Sequence, residues 1–317
     1  MYDIVALGEL LIDFTSSGHS ESGMRLFEQN PGGAPANMLT AATKLGLSTA
    51  FIGKVGMDMH GQFLKEVLEQ QKIETKGLIC DPNTFTTLAF VELKESGERV
   101  FSFARKPGAD TMLTKEELDQ DLLKNTKVFH FGSLSLTNDP SKTATYEAIR
   151  IAKEAGAIIS YDPNYRAPLW ENEETAIKMM REPISFVDIM KISDEETELL
   201  TGQVDPEAAA EILISQGVKI VVVTLGEKGA LVRIKDGSTV VAGFKSQVVD
   251  TTGAGDSFWG SFVQQLLKRE KEIDQFTLEE LKECVTYANA VASICVSKRG
   301  AIPAMPTKEE VEKKLHS

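Results

Sequence analysis

Short apolar runs rich in β-branched residues alternate along the chain with longer segments of helical periodicity. The runs predict strands at 4–14, 49–56, 127–134, 157–163, 187–193 and 218–226. Helical spacing of the apolar residues predicts helices at 35–46, 61–71, 141–156, 206–217, 254–270 and 277–298. Alternation of this kind is typical of βαβ units, so the pattern predicts a mainly parallel sheet with helices on both faces.

Two regions break this alternation. Residues 85–93 and 99–105 have the pattern of an antiparallel hairpin with a turn at 95–98, because no helical segment separates the two arms. Together with the irregular stretch 15–31, this hairpin is expected to form a small β lid on the main sheet. A second hairpin over 230–244 is expected to extend the sheet edge. With no internal repeat and no linker, we expect a single domain over 1–317, with a lid formed by about 15–31 and 85–105.

Charge and composition narrow the classes of partner. The chain of 317 residues carries 34 basic and 47 acidic side chains, a net charge of −13, and has no basic stretch, which argues against a nucleic acid partner. No run approaches the roughly 18 apolar residues of a membrane span, so no membrane partner is expected. The three cysteines, Cys80, Cys284 and Cys295, form no metal-binding spacing, and a cytoplasmic location fits them best.

The segment Gly253-Ala254-Gly255-Asp256 stands directly before a predicted helix. The first N–H groups of a helix have no internal acceptor, and small residues allow an anion to approach them. Asp256 would lie beside that anion and could accept a proton from an attacking hydroxyl, although an ordinary aspartate, with a pKa of about 3.9, is a weak base. The alternative is a carboxylate that merely interacts favourably with the helix dipole.

Four other segments carry polar or glycine residues that could bind a ligand. They are Pro31–Asn37, Asp13, Asp162–Arg166 and Thr224–Gly229. Taken singly, each is also compatible with an ordinary turn or helix start. We expect all five segments, including 253–256, to lie at the carboxyl ends of strands, where open α/β sheets bind their ligands.

An anion site next to a carboxylate suits phosphoryl transfer, because the amides would stabilise charge on the moving group. The chain has no G-x-x-x-x-G-K-[ST] sequence, which excludes a Walker-type loop. The first strand-to-helix turn also has no G-x-G-x-x-G, so a dinucleotide-binding fold would lack its signature.

Together these segments resemble the ribokinase-like, or pfkB, family of carbohydrate kinases, over essentially the whole chain. The motifs that carry the resemblance are GGAPAN (32–37), TLGEKGA (224–230), DTTGAGD (250–256) and VSKRGAIPAMP (296–306). The segments DPNYRAPLW (162–170) and FARKPGADTMLT (103–114) resemble the fructokinase branch in particular. The resemblance implies a ribokinase-like three-layer α/β/α fold with a mainly parallel central sheet and a small β-sheet lid.

The resemblance also implies roles for individual residues. Asp256 would be the general base, and Gly253, Ala254 and Gly255 would form the anion hole. The sugar would contact Asp13, Gly32, Gly33, Asn37, Asn164 and Arg166, with Arg105 reaching in from the lid. The nucleotide would contact Ser193, Thr224, Gly226, Gly229 and Asn289. Glu196 would act indirectly on Mg²⁺, and K⁺ would be bound, mostly through backbone carbonyls, by Asp250, Thr252, Cys295, Lys298, Gly300 and Ala304.

Two positions depart from the family pattern. Ser193 stands where the family's Asn-x-x-Glu motif has asparagine, whereas Glu196 keeps the acidic position. Ala304, at the last cation position, has no side-chain oxygen.

The expected reaction is phosphorylation of D-fructose by ATP at the C6 hydroxyl, with Mg²⁺ bridging the phosphates. A lid-mediated homodimer is also expected. Two alternatives stay open at this point. The substrate could be another acceptor, such as 2-keto-3-deoxygluconate, ribose, a nucleoside or a phosphosugar. The chain could also be a sugar-responsive regulator that has lost catalysis, although the presence of both Asp256 and the Gly-Ala-Gly run argues against this.

Overall fold

The computed structural model describes residues 1–93 and 99–316, and the turn expected at 95–98 lies outside this part of the chain. The described strands are β1 (Tyr2–Leu7), β2 (Leu11–His19), β3 (Arg25–Gly32), β4 (Thr49–Gly56), β5 (Glu74–Asp81), β6 (Leu88–Leu93), β7 (Arg99–Ala104), β8 (Thr126–Gly132), β9 (Ile158–Asp162), β10 (Ile189–Ser193), β11 (Ile220–Thr224), β12 (Ala230–Ile234) and β13 (Gly237–Val241). The described α-helices are α1 (Ala34–Lys44), α2 (Met59–Gln70), α3 (Gln120–Lys124), α4 (Ser141–Glu154), α5 (Glu173–Arg181), α6 (Thr197–Thr201), α7 (Pro206–Ser215), α8 (Ala254–Lys268), α9 (Leu278–Cys295) and α10 (Lys308–Leu315).

Nine strands form the central sheet, in the order β13-β12-β11-β10-β9-β8-β1-β4-β5. The pairs from β11 through to β5 are parallel, as the alternation of strands and helices predicts. The antiparallel pairs β11-β12 and β12-β13 confirm the hairpin predicted at the sheet edge. Strand β5, at the opposite edge, is missing from the sequence-based prediction.

Side chains on the two faces of the sheet belong to two separate cores. On β1, Val5 and Leu7 pack in one core with Ala148 of α4. Their neighbours Ile4 and Ala6 pack in the other core, which α1, α8 and α9 cover. Because both faces are buried under helices, the central strands are apolar on both sides, as parallel strands usually are. The three-layer α/β/α class is confirmed.

A separate four-stranded sheet, in the order β3-β2-β6-β7, forms the lid. Its arms β6 and β7 are antiparallel, as predicted, and the stretch expected to be irregular consists largely of β2 and β3. The single strand predicted over 4–14 is wrong, because the chain leaves the central sheet after Leu7 and enters the lid at Leu11. At the break, a side chain on Gly8 would come within 2.6 Å of Pro35 Cγ. Both halves of the run are apolar, so periodicity could not locate the break.

None of the described helices has both the length and the apolar character needed to cross a bilayer.

Candidate active site

A cavity of about 500 Å³ lies between the lid and the carboxyl edge of the central sheet. A volume of this size is typical of a small-molecule site. The predicted site residues that line it are Asp13, Gly33, Asn37, Asn164, Arg166, Asp250, Thr252, Gly253, Ala254, Gly255, Asp256 and Gly300. The fold therefore brings together residues from the amino-terminal lid, the middle of the chain and the carboxyl-terminal third.

Helix α8 begins at this cavity. Gly253 has a left-handed backbone with φ of 77°, and a Cβ there would lie 2.8 Å from the Cβ of Ala301, so glycine is required for two reasons. Among the described residues, no side chain caps the helix start. The positive end of the helix dipole is therefore available to an anion in the cavity, although the N–H of Ala254 donates a hydrogen bond of 3.3 Å to the carbonyl oxygen of Thr251.

Asp256 lies in the first turn of α8, and its Oδ2 accepts a hydrogen bond of 2.8 Å from Nδ2 of Asn37. Burial and the nearby carboxylate of Asp162 raise the pKa of Asp256 to about 6, against the opposing effects of Asn37, Lys191 and Arg166. Asp256 is therefore a stronger base than an ordinary aspartate, contrary to the expectation of an unperturbed carboxylate. At neutral pH it is still largely ionised and able to accept a proton.

Helix α1 begins on the opposite wall of the cavity. A Cβ on Gly32 would lie 2.3 Å from Oδ2 of Asp13, and a Cβ on Gly33 would lie 2.3 Å from the carbonyl oxygen of Glu9. The N–H of Ala34 donates a hydrogen bond of 2.7 Å to Glu9 Oε1. The glycines at this helix start therefore make room for groups of the protein itself.

Two groups on this wall are well placed for sugar hydroxyls. Burial, together with the charges of Asp250 and Asp256, raises the pKa of Asp13 to about 6, although Arg166 opposes the shift. The Oδ1 atom of Asn37 is buried and accepts no hydrogen bond from the described residues. A buried acceptor without a partner is unfavourable unless a ligand supplies the donor.

The segment after β9 forms a third wall. Asn164 adopts a left-handed backbone with φ of 48°, a conformation that asparagine tolerates better than most residues. Arg166 is exposed, and its guanidinium donates a hydrogen bond of 2.9 Å to the carbonyl of Tyr165. Its positive charge lowers the pKa of both Asp13 and Asp256. Arg166 can therefore interact with a sugar or a phosphate that enters between these carboxylates.

The expectation that all five segments lie at the carboxyl ends of strands is only partly correct. The segments that begin at Asp162 and Thr224 follow β9 and β11, two parallel strands of the central sheet. Asp13 lies within lid strand β2, and the Gly32 segment ends lid strand β3. The loop before α8 follows the antiparallel edge strand β13. The lid folds over the sheet edge, which brings segments of different origin to one cavity.

Arg105 has a different environment from the one predicted. Its side chain is buried, with Nε 2.8 Å from Oδ2 of Asp110, Nη1 3.0 Å from Oγ1 of Thr137 and Nη2 2.9 Å from the carbonyl oxygen of Leu134. It is absent from the described lining of the cavity. Arg105 therefore fastens the end of β7 to the body of the protein, and the geometry does not support its predicted reach toward the sugar.

The predicted nucleotide residues form a neighbouring group, outside the described lining of the cavity. Ser193 and Thr224 are paired at the carboxyl ends of β10 and β11. Gly229 has φ of 103°, and a Cβ there would lie 2.0 Å from the carbonyl oxygen of Val241. The side-chain amide of Asn289 donates hydrogen bonds to the carbonyls of Val241 and the next residue, at 3.2 and 3.1 Å. These contacts fix a surface at the same sheet edge as the cavity.

Glu196 is buried, and both of its carboxylate oxygens accept hydrogen bonds. Oε1 accepts one of 2.7 Å from the N–H of Tyr165, and Oε2 accepts one of 2.8 Å from the N–H of Ser193. Residues 1–93 and 99–316 contain no cluster of three metal-binding side chains. Glu196 therefore organises the segments around it, and its predicted effect on Mg²⁺ would be indirect.

The six residues predicted around K⁺ are only partly gathered at the cavity. Asp250 connects its own loop to the loop at Gly300. Its Oδ1 accepts a hydrogen bond of 3.0 Å from the N–H of Thr252, and its Oδ2 accepts one of 3.0 Å from the N–H of Gly300. Cys295 and Ala304 belong to a small buried apolar cluster. The Lys298 ammonium forms an ion pair of 2.6 Å with Glu310.

Two buried charged residues of the cavity wall, Glu9 and Lys191, are missing from the sequence-based site, as is the exposed Arg299. Glu9 interrupts the apolar run 4–14, and Lys191 lies in the apolar strand β10. Charged side chains are almost never fully buried unless they are paired, so a charge within a buried run is a usable signal. Burial raises the pKa of Glu9 to about 7.

Comparison with known proteins identifies relatives over the whole chain. The model of the pfkB family carbohydrate kinases matches residues 1–308. Probable fructokinase-5 from Arabidopsis thaliana is 43% identical over 317 residues, with 99% of this chain and 97% of the relative covered.

Solved structures show the same architecture. Fructokinase from Xylella fastidiosa with bound ATP has a TM-score of 0.90 and 31% identity, covering 100% of this chain and 99% of the other. Fructokinase from Vibrio cholerae O395, in a form with fructose, ADP and calcium ion bound, has a TM-score of 0.88 and 31% identity, with 99% of each chain covered.

Proposed function

The chain belongs to the pfkB family of carbohydrate kinases, and from this we propose that it transfers the terminal phosphoryl group of ATP to D-fructose. The observation that carries the proposal is the meeting of Asp256 with the uncapped start of α8 in one cavity. A base and an anion site are then adjacent, which is the arrangement that phosphoryl transfer to an alcohol requires. Fructose is proposed as the acceptor because the named relatives are fructokinases, one of them in a form with fructose bound.

In the proposed reaction, the C6 hydroxyl oxygen of fructose forms a bond to the γ-phosphorus of ATP. The bond between that phosphorus and the β,γ-bridging oxygen breaks, and ADP leaves. Asp256 accepts the hydroxyl proton, and its raised pKa of about 6 makes it better suited to this role than an ordinary aspartate. The amides of Gly253, Ala254 and Gly255 stabilise the negative charge on the phosphoryl oxygens.

Asp13, Asn37 and Asn164 are the proposed partners of the sugar hydroxyls, with Gly32 and Gly33 keeping the wall open. The carboxylate of Asp13 and the unpartnered Oδ1 of Asn37 both accept hydrogen bonds from hydroxyl groups. Arg166 supplies a positive charge where the sugar and the phosphate meet.

The adenine nucleotide is proposed to lie along the carboxyl ends of β10 and β11, against Ser193, Thr224, Gly226, Gly229 and Asn289. Mg²⁺ would be held mainly by phosphate oxygens and water, because the described residues provide no cluster of metal-binding side chains. It would supply charge neutralisation between the phosphates. K⁺ is proposed to bind where the side chain of Asp250 is hydrogen-bonded to the N–H groups of Thr252 and Gly300.

The decisive experiment measures ADP release from ATP and Mg²⁺ over a panel of sugars, with and without K⁺. We expect fructose to give the highest kcat/KM, and we expect little ADP release without sugar, because the lid excludes water when the sugar is bound. Preference for another sugar would reassign the substrate within the family. ADP release that is equally fast with and without sugar would contradict the kinase proposal.

A homodimer through the lid is also proposed. One lid face, with Asp13 and Thr15, looks into the cavity. Phe27 and Phe90 lie edge to face at 6.0 Å on the lid and are each 38% exposed. Partly exposed aromatic side chains on a small sheet favour pairing with a second copy. Sedimentation should show a dimer at micromolar concentration that F90E weakens, and a monomeric wild type would refute this.

We propose a reducing compartment such as the cytoplasm, because Cys80, Cys284 and Cys295 are all free thiols. Subcellular fractionation tests this, and recovery in an oxidising compartment would contradict it.

A further inference from the structure

Two opposite charges are buried together at the floor of the cavity. The Nζ atom of Lys191 lies 2.7 Å from Oδ2 of Asp162, and the two side chains are only 6% and 4% exposed. Asp162 is the last residue of β9, and Lys191 lies in the middle of the neighbouring parallel strand β10. Neither residue belongs to the site inferred from the sequence, where Asp162 is only the start of a turn.

The ammonium group of Lys191 lies directly beneath the proposed anion hole. A Cβ built on Gly255 would be 3.3 Å from both Nζ and Cε of Lys191, and Lys191 is part of the cavity wall. Only one of its three N–H donors has a hydrogen-bond partner among the described residues, namely Asp162. The ammonium is therefore close enough to the helix start to contact an anion that binds there.

The electrostatic environment keeps this lysine charged. Burial alone disfavours the ammonium form, but the carboxylates of Asp162, Glu196 and Asp256 outweigh burial and raise the pKa of Lys191 above its ordinary value. On the other side of the pair, Oδ1 of Asp162 is buried and has no hydrogen-bond partner among the described residues.

A buried ion pair by itself contributes little to the free energy of unfolding, because desolvation of the two charges offsets most of their attraction. A pair with unsatisfied donors and an unsatisfied acceptor beside a cavity is less favourable still. These costs are explained if the pair has a partner that arrives with the substrate. The anion that the helix start would bind is such a partner.

We propose that Lys191, held in position by Asp162, is the fixed cation of the phosphoryl site and binds an oxygen of the terminal phosphoryl group during transfer. This inference rests on the proposed kinase function. The ammonium keeps its proton throughout, while the γ-phosphorus moves from the β,γ-bridging oxygen to the sugar oxygen and the hydroxyl proton passes to Asp256. Lys191 therefore stabilises the charge on the moving group and does not take part in proton transfer.

The test compares K191M with the wild-type enzyme. Methionine keeps the length and removes the charge, so kcat should fall by about 10²–10³-fold, as for the loss of one preorganised oxyanion donor. Calorimetry should show a larger loss of affinity for ATP than for ADP, because only ATP carries the terminal phosphoryl group. The KM for the sugar should change little.

A matched control is available in K54M. Lys54 is equally buried, and its Nζ lies 2.7 Å from Oε1 of Glu117, but it is absent from the described cavity lining. K54M should lower the melting temperature while leaving kcat and the preference for ATP over ADP close to wild type. If K191M behaves like K54M in both respects, Lys191 is only a structural residue and the inference is overturned.

The pH profile gives a second readout. The groups that shift the pKa of Asp256 are Asp162, Asn37, Lys191 and Arg166. The charge of Asp256 in turn raises the pKa of Asp13 and of Cys295. K191M should move the acidic limb of kcat/KM to higher pH, and D162N should move it to lower pH, each by about one unit. These shifts report how strongly the pair acts on Asp256, whereas the preference for ATP over ADP reports the contact with the terminal phosphoryl group.

If K191M does not fold, D162N decides the question, because it keeps the shape and removes the carboxylate that positions Lys191. A limb that D162N does not move, with ATP and ADP affinities changed equally, contradicts the inference. Failure of the kinase proposal can be distinguished from failure of this inference. If the wild-type protein shows no sugar-dependent ADP release, the kinase proposal is wrong before any variant is compared.

Discussion

Two helices begin with glycines at the same cavity, and their surroundings differ. At α1, Gly32 and Gly33 make room for the carboxylate of Asp13 and the carbonyl of Glu9, and the N–H of Ala34 is bound by the Glu9 carboxylate. At α8, among the described residues, no side chain caps the start. Beneath α8 lies the ammonium of Lys191, a cation rather than a carboxylate.

The difference shows that a glycine-rich helix start is not by itself an anion site. At α1 a carboxylate of the protein already occupies the positive end of the helix dipole, so that wall is suited to neutral hydroxyl groups. At α8 the dipole and Lys191 act in the same direction, which favours a phosphate. The two helices meet through the hydrogen bond between Asn37 and Asp256, which places the sugar wall against the phosphate wall.

The largest expected effect is on the α8 wall. D256A should lower kcat by about 10²–10⁴-fold, equivalent to at least about 3 kcal/mol of barrier, because the proton acceptor is lost. Steady-state assays with fructose and ATP measure this, with unchanged sugar binding by calorimetry as the control. Near-normal turnover of D256A would show that another group is the base.

Two glycine substitutions, with smaller expected effects on the kinetics, distinguish the α8 wall from the α1 wall. In G255A the new methyl group comes within 3.3 Å of Lys191, so kcat should fall by about 10–100-fold with little change in the KM for the sugar. In G32A the methyl group meets the Asp13 carboxylate, so the KM for the sugar should rise by about tenfold or more. Identical kinetic defects in the two variants would contradict the division into a phosphate wall and a sugar wall.

The pH dependence should reflect the α8 wall as well. Asp256 acts only when it is ionised, and its pKa is raised to about 6 by burial and by Asp162. The kcat/KM should therefore fall about tenfold per unit as the pH drops below about 6. A limb near pH 4 would mean that the carboxylate is as acidic as an ordinary aspartate in the working enzyme.

The smallest effect is expected at α1 and concerns stability. Burial raises the pKa of Glu9 to about 7 from an ordinary 4.5. Its contribution to folding is therefore complete below about pH 4.5 and is lost as the pH rises through about 7. E9Q, which keeps an acceptor for Ala34, should be more stable than wild type by about 1–3 kcal/mol at pH 8 and equal to it at pH 4.

Thermal melts across pH measure this difference. A stability gap between E9Q and wild type that does not change with pH would show that Glu9 is not protonated on folding.

The sequence predicted most central strands and the main helices correctly, because each is long enough for its apolar spacing to be unambiguous. It failed at 4–14, where one continuous apolar run supplies both β1 and β2. It also failed at Arg105, because a basic residue near a lid looks the same whether it faces a ligand or pairs with Asp110. The sequence did not indicate Lys191 as a site residue, because its proposed role depends on its contact with Asp162, 29 residues away in the chain.

By itself the sequence determined the alternation of strands and helices, the glycine-rich helix starts and the aspartate that follows one of them. These are local properties, fixed by side-chain periodicity and by the steric freedom of glycine. Only the tertiary structure decided which helix start is left open to an anion, which charges are buried together and how far the pKa of Asp256 is raised. Those properties depend on contacts between residues far apart in the chain, and on burial, which no local pattern contains.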